Sequence, residues 1–285
     1  MNLKEIKQRI HSVKSTQKIT SAMKLVSSAK LRRTQGAIER LRHYEQKLDE
    51  IFASLLGCVE VKSEYSVSRE VKKVVVIAVA SDTTLCGAFN ANITRLAKEV
   101  VTEYRAAGVD VEVMPVGKKM HESFRKQGVN TVDALMQQAG APVYNEISAV
   151  AKALMQRFVA GELDRVELVY THFISVAKFE LKREAFLPVD TLAHGVGNGA
   201  DVNGFILEPD KEQLLQALIP QVVTMRLYVA LLDSAVAEHA ARMMAMQIAT
   251  ENANNLIGEL TLEYNKGRQQ AITNELLDII SGSSN

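Results

Sequence analysis

The chain has 285 residues, 47% of them hydrophobic, enough to fill a sizeable core and too apolar for a disordered polymer. Its 34 Lys and Arg are balanced by 33 Asp and Glu, so the net charge of +1 does not mark a nucleic-acid binder. No run approaches the roughly 18 apolar residues of a membrane span, the opening MNLKEIKQRI lacks the apolar stretch of a signal peptide, and Cys58 and Cys86 fit neither a metal spacing nor a disulfide framework.

The prolines, Pro115, Pro142, Pro188, Pro209 and Pro220, leave both ends of the chain free of the strongest helix breaker. Leu3, Ile6, Ile10 and Val13 recur at helical spacing, and Ile38, Leu41, Leu48, Phe52 and Leu55 resume it. This predicts one helix from Leu3 to about Leu56, roughly 80 Å long. Between the two sets the stripe shifts to Ile19, Met23, Val26 and Ala29, which reads as a heptad stutter.

The middle alternates between strand and helix patterns. VKKVVVIAVA (71–80) is a β-branched run of the kind buried on both faces, followed by a helix pattern over 92–107. VDVEVMPVG predicts a second strand, KKMHESFRKQG and EISAVAKALMQRFVAG two more helices, and RVELVYTHFIS a third strand. The order implies a mostly parallel sheet with right-handed crossovers. Two short extended runs, FELKREAFLPV and GFILEP, flank the loop AHGVGNGADVNG.

At the C-terminus a 3,4 alternation hits Leu215, Leu218, Val222, Met225, Val229, Leu232, Val236, Met243, Met246, Ala253, Ile257, Leu260, Tyr264 and Ala271. It is interrupted only by His239, Thr250, Gly267 and Asn274, and so predicts a coiled-coil seam. A continuous helix over 211–281 would reach roughly 105 Å and needs a partner. The N-terminal helix is the simplest one. The expected fold is therefore α/β: a long antiparallel coiled coil of N- and C-terminal helices (1–60 and 209–285) with a Rossmann-like α/β domain (70–208) inserted between them. The longer C-terminal helix is expected to outrun its mate.

The first 47 residues hold twelve Lys or Arg against Glu5, Glu39 and Glu45. This face is either simply solvated or built to meet DNA, anionic lipid or an acidic protein, and composition does not choose among them. SDTTLCGAFN follows the first strand, where α/β folds bind ligands, but it has neither GxGxxG spacing nor a Walker lysine. Cys86 has no nearby His and reads as a buried small residue, and Glu238-His239 and His121-Glu122 are not HExxH. No catalytic, metal or cofactor site is expected. A basic scaffold for DNA or membrane, and an α/β enzyme with a coiled-coil appendage, remain competing readings.

Three stretches resemble the γ subunit of F-type ATP synthases: IKQRIHSVKSTQKITSAMKLVSSAKLRR (6–33), SAVAEHAARMMAMQIATENANNLI (234–257) and LEYNKGRQQAITNELLDIISGS (262–283). The last is similar to the family's closing signature of Ile-Thr, Glu, Asp-Ile-Ile and Gly. The resemblance spans nearly the whole chain. It implies a non-catalytic, cofactor-free rotor shaft within a ring of three α and three β subunits, with the α/β foot docked beside ε on a membrane c ring. It further implies that Met23, Lys24, Lys30, Arg32 and Arg33, together with Arg242, Arg268, Gln269 and Thr273, meet β, and that Ile272, Leu276, Leu277, Ile279 and Ile280 form an apolar bearing. Phe205 and Glu208 would approach the c ring. No nucleic-acid partner and no transmembrane segment are implied. The family's Asp-Arg-Gly-Leu-Cys-Gly stands here as Asp82-Thr83-Thr84-Leu85-Cys86-Gly87, without the Arg. A plastid-type cysteine pair and a transit peptide are missing, which favours a bacterial complex, with this chain on the cytoplasmic side of the inner membrane.

Overall fold

The computed structural model describes residues 2–56, 64–189 and 211–283. Helix α1 spans Leu3–Leu56 and the last helix, α5, spans Lys211–Ser283. Between them lie β1 (Lys73–Val79), α2 (Phe89–Ala106), β2 (Asp110–Val116), α3 (Lys118–Arg125), α4 (Tyr144–Val159), β3 (Arg165–Ser175) and β4 (Lys178–Leu187). Short 3-10 turns at Glu64–Ser66 and Asp133–Leu135 were not apparent in the sequence pattern. The chain divides into two compact units, residues 30–241 and a helical pair made of 1–29 with 242–285.

In the larger unit the strands are ordered β2-β1-β3-β4. β1 runs parallel to both β2 and β3, as the alternating pattern predicts. β4 runs antiparallel to β3 across a tight connection, so FELKREAFL is the return arm of a hairpin. Two-residue loops can join only antiparallel strands, and only two residues separate Ser175 from Lys178. The run GFILEP and the loop before it lie outside the described residues.

β1 is apolar throughout because both of its faces are covered. Val75, Ile77 and Val79 enter a core shared with Phe52 of α1, Ile147, Leu154 and Phe158 of α4, and Val222, Leu227 and Leu231 of α5. Val74, Val76 and Ala78 enter a second core with Ile93, Ala97 and Val100 of α2 and Met120 and Phe124 of α3. This is the two-sided burial typical of parallel sheets. Gly117 joins β2 to α3 at φ +88°, where a Cβ would fall 2.3 Å from the Ala80 carbonyl oxygen, so both conformation and space require glycine.

The smaller unit is an antiparallel pair. Leu3 packs against Gly267, where an added Cβ would lie 3.2 Å from Leu3 Cδ2, and Thr250 Oγ1 donates to Thr20 Oγ1 at 2.8 Å. Between these two contacts the chain advances along α1 by as many residues as it retreats along α5. That is the mark of antiparallel pairing.

Burial along α1 corrects the expected stutter. Ile6, Thr20, Ser27, Leu31, Ile38, Leu48 and Phe52 are buried, and Ile10, Val13, Gln17, Lys24, Thr34 and Leu41 are partly covered. From Ile6 to Leu41 they form an unbroken 3,4 alternation, and Leu48 and Phe52 fall in register with it. Its central positions are polar, so the apolar pattern jumps to a neighbouring stripe while the geometry does not. Ile19 and Val26, expected in the seam, are 60% and 57% exposed. Along α5 the predicted seam holds from Val222 to Gly267. One window of this helix reaches a mean hydropathy of 1.2, enough by length and composition to cross a bilayer, yet 72% of it is buried inside the chain. Its apolarity serves packing within the fold.

Candidate interaction surfaces

The helical pair has a narrow seam and a largely exposed outside. Lys4, Lys7, Arg9, Lys14 and Lys18 are exposed, as are Lys30, Arg32 and Arg33 farther along α1, while Met23 and Lys24 are half-buried. Among the described residues none of Lys24, Lys30, Arg32 and Arg33 makes an ion pair. Three of these charges fall within one turn, so each suffers the repulsion of its neighbours with no internal carboxylate to relieve it. Such a surface is electrostatically complementary to an acidic partner.

Beyond Gly267 the seam ends because α1 has ended: Arg268 to Ile279 are exposed without exception. Ile272, Leu276 and Ile279 recur at helical spacing on one stripe, with Leu277 beside them, and are 49%, 55%, 64% and 58% exposed respectively. Arg268, Gln269 and Thr273 lie on the same stretch, where the Thr273 hydroxyl donates to the Gln269 carbonyl at 2.9 Å. The side chain of Ile280, and the whole of Phe205 and Glu208, lie outside the described residues. Arg242 is buried, unlike the other basic positions singled out from the sequence. Sequence reading missed the exposed Leu25, Ile248 and Leu262, which strict seam counting would have placed on the outside.

The loop after β1 folds on itself. Asn90 Nδ2 donates to Ser81 Oγ at 2.8 Å, to the Thr83 carbonyl at 3.2 Å and to Cys86 Sγ at 3.2 Å. Leu85 sits at φ +68° and Cys86 is buried, in keeping with the packing role expected for it. The loop's polar atoms are therefore engaged with each other. Among the described residues no group of three His, Cys, Asp or Glu side chains is placed to hold a metal ion.

The larger unit buries several charges, each paired. Glu112 on β2 accepts both arms of the Arg157 guanidinium at 2.9 Å, which holds that guanidinium's pKa above its ordinary value. Glu167 on β3 accepts from Arg165 at 2.9 Å, from Arg183 at 2.5 Å and from the Tyr104 hydroxyl, and Arg183 reaches on to Glu103 at 2.6 Å. Burial, reinforced by the Glu167 carboxylate, pushes the Tyr104 phenol up, and the Arg183 bond holds the Glu103 carboxyl below its usual range. These pairs fasten α4 and α2 to the sheet.

A family model described as ATP synthase matches residues 2–285. A Bacteroides fragilis protein named ATP synthase gamma chain is 50% identical over 286 aligned positions, covering 99% of each chain. The chain belongs to the ATP synthase gamma chain family. A family member from Flavobacterium psychrophilum is 40% identical over 284 positions, covering 99% of this chain and 98% of its own. A chain of the Euglena gracilis mitochondrial ATP synthase, solved as OSCP/F1/c-ring in rotational state 3, shares the fold with a TM-score of 0.67. It is 21% identical and is covered over 93% of its length by 99% of this one. A chain of the Tetrahymena thermophila central stalk and c ring has a TM-score of 0.57 at 23% identity, covering 81% of this chain and 99% of its own. Family membership makes this chain an ATP synthase gamma subunit, and the likeness to the solved structures bears out the fold expected from the sequence.

Proposed function

We propose that this chain is the turning shaft of its complex, carrying torque between a membrane c ring and the catalytic sites of a ring of three α and three β subunits, and that it is itself non-catalytic. The observation that carries this reading is the bare end of α5: a helix that keeps apolar Ile272, Leu276, Leu277 and Ile279 exposed past Leu3, where its antiparallel mate begins, needs a sleeve from other chains. In this reading these residues, with Ile280, are the bearing. Met23, Lys24, Lys30, Arg32, Arg33, Arg242, Arg268, Gln269 and Thr273 meet β, while Phe205 and Glu208 lie towards the c ring. The three-part division at 1–60, 70–208 and 209–285 then separates shaft from foot, with ε beside the foot and the complex on the cytoplasmic side of a bacterial inner membrane.

Coulomb attraction between such a basic face and acidic loops about 4 Å away is worth about 1 kcal/mol per pair in water. Contacts of that size guide a rotor and release it. Neutralising the exposed Lys30, Arg32 and Arg33 together should lower ATP-driven ion pumping by the assembled complex while the free chain's melting temperature holds, since exposed charges contribute little to stability. Equal loss of pumping and stability would assign the face to folding and remove its role in coupling.

A further inference from the structure

β3 is longer than the strand beside it. β1 pairs with β3 only from Val74↔Arg165 to Ala78↔Val169, whereas β3 continues to Ser175. Beyond Val169 the backbone N–H groups on that side have no strand to receive them, and buried N–H groups must find acceptors. Two consecutive side chains of α5 supply these. The Thr171 N–H donates to Ser234 Oγ at 3.0 Å, and the Phe173 N–H donates to Asp233 Oδ1 at 3.2 Å.

The same Asp233 carboxylate is bonded to the His172 ring at Nδ1 and lies 3.9 Å from the Arg42 guanidinium of α1. Asp233 and Ser234 are 3% and 2% exposed. One carboxylate thus joins the sheet to α5 directly and to α1 through a weaker, partly screened pair. Apolar packing elsewhere between α5 and the sheet resists separation but tolerates sliding. Directional bonds from helix side chains to strand backbone resist sliding as well.

We propose that Asp233 and Ser234 are torque-coupling residues, splicing the overhang of β3 into α5 so that the foot and the shaft helix turn together. This rests on the rotor reading above. The two residues act by positioning and touch no nucleotide.

The test uses the assembled complex in ion-tight membrane vesicles, with ATP hydrolysis and ATP-driven ion pumping measured on the same preparation. Asp233→Ala with Ser234→Ala removes both acceptors. Pumping per ATP hydrolysed should fall at least about tenfold, the factor that loss of even one hydrogen bond to a charged group carries, while hydrolysis stays near the parent rate. Asp233→Asn and Ser234→Thr keep an acceptor atom at each position and should restore most of the ratio, and Ser234→Ala alone should give an intermediate loss. An unchanged ratio in the double variant would overturn the proposal. So would a parallel fall of hydrolysis and pumping, which would make the pair an assembly contact, or failure of the acceptor-keeping variants to rescue. Failure of the rotor reading itself would appear separately, as a parent complex that hydrolyses ATP without pumping.

Discussion

Leu260 and Leu262 lie on the same stretch of α5, 4% and 71% exposed. Leu260→Ala deletes a side chain enclosed in the seam against α1. Leu-to-Ala changes in enclosed cores cost about 2–5 kcal/mol, and a seam between only two helices, with fewer walls to leave unfilled, belongs at about 2 kcal/mol. Leu262→Ala removes nothing that is packed, and alanine is at least as good a helix former, so its effect should stay within about 0.5 kcal/mol. Urea unfolding of the free chain followed by far-UV circular dichroism reads the difference as a shift in midpoint at constant slope. Equal costs at the two positions, or a cost above about 1 kcal/mol at Leu262, would refute the seam assignment. Substitution of Leu262 should instead matter in the complex, weakening assembly with α and β.

Deleting the last ten residues should leave the melting temperature of the free chain unchanged, because the described side chains there are exposed, while slowing rotation of the complex; a truncated chain that unfolds would show that the end packs on the fold. Burial raises the Asp233 carboxyl above its ordinary value, against the opposing pull of the His172 bond. A raised carboxyl favours folding while protonated, below about pH 3.9, and that contribution is lost as pH rises through the folded value. Asp233→Asn should therefore melt higher than the parent at neutral pH, with the gain vanishing below the ordinary carboxylate range. A lower melting point for the variant at neutral pH would mean that the charged partners outweigh burial.

The helices and the parallel strands were legible because their signals are periodic. The β-branched run of β1 announces burial on two faces, and the α5 alternation from Val222 to Gly267 matches the buried seam almost position for position. In the middle of α1 the same logic failed, since Gln17, Thr20, Lys24 and Ser27 occupy seam positions. A reading that follows apolar residues moves to Ile19 and Val26, whereas continuing the count from Ile6 would have kept the register. The hairpin of β3 and β4 was harder: FELKREAFL alternates weakly, and only the short connection at Val176-Ala177 signals an antiparallel return. The splice at Asp233 and Ser234 leaves no local signature, because it depends on β3 outrunning β1, which is a property of sheet register. The basic and apolar surfaces were visible as composition, and composition alone does not choose what they meet.

Attaching a bead through a cysteine introduced at the exposed Gln127, near the end of α3, and fixing the α and β subunits to a surface tests the central claim most directly. The account predicts that the bead turns in one direction when ATP is added and stops when it is exhausted. A complex that hydrolyses ATP at its normal rate while a firmly attached bead stays still would contradict it.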